Sequence, residues 1–83
     1  MQFQYLIQFY YEEIPQRISI ETNDIHDAIT HFMGGVNSDT PCLITDGLTG
    51  EILVDWDGKH SQWCTSEMAL MITGWLMEQT WGV

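Results

Sequence analysis

The chain has 83 residues, 45% of them hydrophobic, which suits one small folded domain and excludes a disordered acidic tail. Twelve Asp and Glu residues face only Arg17 and Lys59, so the net charge is -10. This imbalance argues against direct binding of DNA or RNA, whose phosphates are contacted through Lys and Arg, and against docking on anionic membranes. We expect a single domain over residues 1–83.

The first predicted elements are two strands joined by a turn. Residues 2–11 alternate between apolar and polar positions, as a half-buried strand does. Residues 12–15 form the turn, because Pro15 cannot donate a hydrogen bond to a sheet, and residues 17–21 return with Ile18 and Ile20 inward. The inward face of the first strand consists of Phe3, Tyr5, Ile7, Phe9 and Tyr11.

A helix follows this first hairpin. Residues 22–24 supply candidates for its N-cap, and Asp27 lies in the first turn, where the helix dipole favours an acid. Gly34 and Gly35 are expected to end the helix. Asp27 can also pair with His31, four residues later on the same surface. The buried face repeats at helical spacing and consists of Ile25, Ala28, Ile29 and Phe32.

The central hairpin spans residues 41–56, two apolar strands joined by the glycine-flanked turn 47–50. Placing Asp46 opposite Glu51 across this turn sets the register of the two strands. The resulting pairs are Ile44 with Leu53 and Cys42 with Asp55. The other face is assigned to the core and consists of Leu43, Thr45, Ile52, Val54 and Trp56.

A fifth strand and a second helix complete the chain. Asp57 and Gly58 are typical of a two-residue hairpin turn, so residues 59–63 are expected to form a short edge strand with Trp63 on the core face. Thr65 or Ser66 caps the last helix. The main apolar stripe of this helix is Met68, Ala69, Met71, Ile72, Trp75 and Leu76.

A second apolar set lies on the other side of the last helix. Leu70, Met77 and Trp81 occupy positions i, i+7 and i+11 and line up along one side. The sheet cannot cover this side if it already covers the main stripe. We therefore predict that these three residues form the interface of a homodimer, with a partner protein as the alternative.

Taken in the order ββαββ(β)α, these elements predict an α+β fold. The expected architecture is a two-layer sandwich, in which an antiparallel sheet of four to five strands carries both helices on one face. The predicted core between the layers is Ile7, Phe9, Ile20, Phe32, Val54, Ile72 and Trp75.

No residue pattern indicates catalysis. His26 and His31 are five residues apart, about 140° around a helix, so they cannot share a metal ion. His60 and Cys64 would both point outward from an open sheet, whereas a nucleophile and its base need a pocket. We therefore expect no enzymatic activity, no metal site and no cofactor. Two cysteines without an apolar leader segment predict a cytoplasmic protein with reduced thiols.

The acidic residues are of more interest as an array. Residues two apart on a strand are separated by about 6.6 Å, close to two steps of the charge spacing along one nucleic-acid strand. Such an array could dock on a basic groove of another protein, or it could be only a solvated sheet face that resists aggregation. The candidate partner-binding residues are Asp46, Glu51, Asp55 and Asp57, followed by Glu12 and Glu13.

In size and composition the whole chain resembles the small acidic proteins of phages and other mobile elements, including anti-CRISPR proteins and DNA-mimic inhibitors. That resemblance implies a non-enzymatic inhibitor that binds a basic nucleic-acid-binding site on a host defence protein, such as a CRISPR effector, in the host cytoplasm. It assigns no functional residues, because these proteins share no common motif. The alternative function is a homo-oligomeric structural or accessory protein whose acids serve solubility only.

Overall fold

The computed structural model describes residues 3–13 and 16–81, with only the backbone described for the last two residues of that range. The described residues form five strands and two helices. The sheet is open and wholly antiparallel, with the strand order β2-β1-β3-β4-β5, and the α+β prediction is confirmed. The bounds are β1 (Tyr5–Phe9), β2 (Ile18–Thr22), α1 (Ile25–Asn37), β3 (Cys42–Asp46), β4 (Ile52–Trp56), β5 (Gln62–Cys64) and α2 (Ser66–Trp81).

The core lies between one face of the sheet and the two helices. Ile20 and Trp75, which were also predicted for the core, are only half-buried and pack against its edge. Of the predicted turn 12–15, the last two residues lie outside the described residues. The buried apolar side chains are Ile7, Phe9, Ala28, Ile29, Phe32, Cys42, Ile44, Val54, Met68 and Ile72.

Helix α1 does not end at its glycine pair, as the sequence predicts, but continues to Asn37. The reason is packing: a Cβ on Gly35 would lie 2.9 Å from Cε1 of Phe9, so the glycine lets the helix approach the sheet closely. At the other end, the Asp24 carboxylate accepts a hydrogen bond from the backbone N–H of His26 at 3.0 Å, which selects Asp24 among the three candidate caps.

The register predicted for the central hairpin is wrong beyond its turn. The Asp46 N–H does donate to the Glu51 carbonyl at 2.8 Å, but the pairing shifts by one residue between Ile44 and Thr45. A bulge in β4 supplies the extra residue, so that two residues of β4 oppose one step of β3. The observed pairs are Ile44 with Val54, Leu43 with Asp55 and Cys42 with Trp56.

This shift exchanges the two faces of β3. Cys42 and Ile44 are buried in the core, whereas Leu43, which was predicted to be buried there, lies on the sheet face opposite the helices. Ile52, also assigned to the core, is 44% exposed, and Leu53 packs against the core cluster instead.

Strand β5 is also displaced from its predicted position, because the turn before it is longer than two residues. The Asp57 N–H donates to the Ser61 carbonyl at 3.2 Å, so the turn covers residues 57–61 and the strand begins at Gln62. Cys64 pairs with the buried Val54 and Trp63 pairs with Asp55. Trp63 therefore lies on the face opposite the helices and is 55% exposed, contrary to the prediction.

Helix α2 is capped by Thr65, whose hydroxyl accepts a hydrogen bond from the Met68 N–H at 3.2 Å. It buries Met68 and Ile72 and contacts α1 through a hydrogen bond of 3.0 Å from the Trp75 indole to the Thr30 hydroxyl. Within the described residues, neither helix has the length and apolar character that crossing a membrane requires.

Candidate partner-binding surfaces

The six acidic residues predicted to bind a partner do not form one array. The sheet places Asp46 and Glu51 at one end of the molecule, at the turn between β3 and β4. Asp57 lies at the opposite end, where it lines an open depression together with Glu12 and Glu13. Asp55 lies between the two ends, on the sheet face that the helices leave uncovered.

At the first end, the Asp46 carboxylate is held by the turn that follows it. It accepts hydrogen bonds from the N–H groups of Leu48 at 2.7 Å and Thr49 at 3.1 Å, an arrangement typical of aspartate before a tight turn. Glu51 is exposed. Asp46 thus has a structural role in the hairpin in addition to any role in binding.

The same end carries acids that the sequence prediction missed. The pKa of Tyr5 is raised first by burial and then by the carboxylates of Asp46, Glu67 and Asp24. Asp24 caps α1 and Glu67 lies in the first turn of α2, so the N-termini of both helices bring acids to this end. The sequence shows the capping pattern of the helices, but it does not show at which end of the sheet their N-termini lie.

At the opposite end, the Asp57 carboxylate accepts hydrogen bonds from three backbone N–H groups, those of Lys59 at 2.8 Å, His60 at 3.0 Å and Ser61 at 3.1 Å. These bonds, the one from Lys59 foremost, lower the pKa of Asp57 below its ordinary value of 3.8. Glu12 and Glu13 are exposed near this loop. The depression that they share with Asp57 also contains Lys59, so its charge is mixed.

On the uncovered sheet face, Asp55 stands between two apolar neighbours. It pairs with Leu43 of β3 on one side and with Trp63 of β5 on the other. Among the described residues, none donates a hydrogen bond to the Asp55 carboxylate or forms an ion pair with it. A shallow depression on this side is lined by Gln8, Tyr10, Arg17, Leu43 and Asp55, among others. Tyr10, Leu43 and Trp63 were not among the predicted site residues.

The predicted dimer face of α2 is exposed where the structure describes it. Leu70 is 75% exposed and Met77 is 53% exposed, so neither the sheet nor α1 covers them. The side chain of Trp81, the third predicted residue, lies outside the described residues. Met71, which was assigned to the buried stripe, is also exposed on this helix, as is Leu76.

Two of the histidines lie beside carboxylates, and one of the two cysteines is buried. His31 lies 3.5 Å from the Asp27 carboxylate, which confirms that predicted pair, and His26 lies 3.4 Å from Glu78 across the two helices. No group of three or more possible metal ligands comes together in the described part of the chain. Burial, reinforced by the nearby Asp55 carboxylate, raises the pKa of the Cys42 thiol to about 12, which makes it a poor nucleophile.

Comparisons of the chain with protein-family models, with curated proteins and with solved structures gave no match. Function is therefore inferred from the charge and geometry of the residues described above.

Proposed function

We propose that this protein is a small acidic, non-enzymatic inhibitor that binds a basic nucleic-acid-binding site on a host defence protein, such as a CRISPR effector. The observation that carries the proposal is the distribution of charge. Twelve acidic residues face two basic ones, and carboxylates occur at both ends of the sheet and on its uncovered face. A surface of this kind attracts a cationic partner and raises its rate of association.

The rigidity of two of these carboxylates supports the proposal. Asp46 and Asp57 are fixed by backbone N–H groups of their own turns. Charges that are already in place need not be ordered when a partner binds, so less conformational entropy is lost. A flexible acidic tail of the same net charge would not have this advantage.

The proposal is tested by measuring DNA binding of a panel of purified CRISPR effector complexes, each loaded with its guide RNA, in mobility-shift assays with labelled target duplex. We expect the protein to prevent DNA binding by at least one effector near a one-to-one ratio, and added salt to weaken this effect. If DNA binding by every effector is unchanged, the proposal is overturned.

A pair of charge variants tests the assigned residues. The site variant neutralises Asp46, Glu51, Asp55 and Asp57 to Asn or Gln. The control variant removes three charges elsewhere through Glu21→Gln, Asp27→Asn and Glu78→Gln, so the losses of inhibition are compared per charge removed. Inhibition should weaken more in the site variant than in the control. Equal losses would mean that net charge alone matters and that the four residues are not the site.

A homo-oligomeric structural or accessory protein is the second candidate, favoured by the exposure of Leu70 and Met77 on α2. Sedimentation at low and high salt separates the two functions, because self-association of molecules with a charge of -10 strengthens as salt screens their repulsion. Docking to a basic target weakens instead. A dimer that is lost in a variant with Leu70→Ser and Trp81→Ser would support this candidate. A monomer at both salt concentrations would exclude it.

A further inference from the structure

The uncovered sheet face presents one row of neighbouring side chains across three strands. Leu43, Asp55 and Trp63 come from β3, β4 and β5 and are directly paired in register. Side chains of such cross-strand neighbours lie about 4.5–5.5 Å apart at Cβ, so the indole, the carboxylate and the leucine are adjacent. The row is accessible, because Asp55 is exposed and Trp63 is 55% exposed.

This combination has the chemistry that recognises a guanidinium group. An indole face attracts a cation, and Arg also stacks its planar group on the ring. A carboxylate beside the ring can accept two parallel N–H bonds from the same guanidinium. The Asp55 carboxylate is free to do so, since no described residue bonds to it. A lysine ammonium offers neither the planar stacking nor the paired bonds.

The charge of the chain decides which occupant this face takes. A nucleic acid is repelled by the net charge of -10, and so is a second copy of the chain. The face has one cation of its own, Arg17, at the margin of the depression on the side away from Trp63. No carboxylate of the described residues pairs with this arginine, so it leaves the Asp55 carboxylate without an ion-pair partner.

We propose that the row Leu43–Asp55–Trp63 is the docking site for an arginine-bearing segment of the basic partner. The arginine stacks on Trp63 and pairs with Asp55, while Leu43 contacts the aliphatic part of its side chain. This inference rests on the proposed function and names the partner group that the uncovered face selects.

The test uses two peptide probes of equal length and charge, nona-arginine and nona-lysine, with affinities measured by isothermal titration calorimetry. We expect the arginine peptide to bind about two- to fivefold more tightly. Trp63→Ser should abolish this preference, whereas Leu48→Ser, which removes a similarly exposed apolar side chain from the turn between β3 and β4, should leave it unchanged. Both positions are exposed, so neither variant threatens the fold.

The carboxylate is tested in the same way. Asp55→Asn should weaken binding of the arginine peptide more than Glu51→Gln, which removes one charge at the end of the sheet. Amide signals of residues 43, 55 and 63 should also shift on addition of the peptide in NMR spectra. Equal affinities for the two peptides, or shifts confined to the ends of the sheet or to α2, would overturn the inference. Inhibition of an effector in the mobility-shift assay would then still stand as evidence for the proposed function.

Discussion

Truncating Ile44 and truncating its neighbour Leu43 should have very different consequences for stability. Both belong to β3, but their side chains lie on opposite faces of the sheet. Ile44 is completely buried between the sheet and the helices, while Leu43 is half-buried on the uncovered face. A pair of single substitutions, Ile44→Ala and Leu43→Ala, therefore reads out directly which face of β3 is covered.

The expected magnitudes follow from this burial. Removing a buried isoleucine side chain leaves a cavity and costs about 2–5 kcal/mol. A chain of this length has a free energy of unfolding of about 4–12 kcal/mol in total, so the loss is a large fraction of it. At Leu43 no enclosed cavity forms and only part of the apolar area is lost, so we expect about 1 kcal/mol.

Urea unfolding followed by far-UV circular dichroism measures both effects. With a slope of about 1–1.5 kcal/mol per molar urea, Ile44→Ala should lower the midpoint by about 1.3–5 M and Leu43→Ala by about 1 M or less. Phe32→Ala, which empties an equally buried position in α1, is the positive control. A larger loss for Leu43→Ala than for Ile44→Ala would show that the two faces of β3 are inverted and would refute the register described here.

Three further predictions concern glycine, aspartate and cysteine positions. Gly47→Ala should destabilise the protein by more than about 1 kcal/mol, because the new Cβ would collide with a backbone carbonyl. Gly74→Ala, on the exposed side of α2, should instead stabilise it by about 0.5–1 kcal/mol, and thermal melts measure both effects. Asp57→Ala should lower the free energy of unfolding at neutral pH. The difference from the parent should shrink as the pH falls through the pKa of Asp57, which lies below 3.8, because the parent carboxylate then loses its charge. Urea titrations at several pH values measure this difference. The half-buried Cys64 should react with a thiol reagent at pH 8 before Cys42 does. The burial and raised pKa of Cys42 should delay its reaction until the protein unfolds, and mass spectrometry of the labelled peptides distinguishes the two cysteines.

The element types and their order follow from the sequence because alternating and helical periodicities are local properties. Ile7 and Phe9 are buried as their alternation predicts, and Phe32 as the helical repeat of α1 predicts. Registry is different, because a single extra residue in β4 reverses which side of β3 faces the core. Ile44 and Leu43 are too similar in hydrophobicity for the sequence to show which of them faces the core, so the bulge could not be predicted.

The candidate site was harder to predict than the element types, because it also depends on the strand register. Trp63 was expected in the core because Asp57 and Gly58 resemble a two-residue turn, but the Asp57 carboxylate organises a longer loop. That difference places Trp63 beside Asp55 on the uncovered face. Sequence composition predicts an acidic surface, but which carboxylates are held by their own turns and which are free depends on the loops.

The position of β1 next to β3 has a consequence for how the chain folds during synthesis. β1 pairs with β2 on one side and with β3 on the other, and β3 follows only after α1 has been made. A nascent chain that ends at α1 can form the β1–β2 hairpin, but it lacks Cys42 and Ile44, which provide part of the apolar surface on which α1 packs. Closing the segment between β1 and β3 must therefore precede stable docking of this helix, and the entropy of that closure opposes the step. Folding of the N-terminal half should thus wait until β3 has left the ribosome.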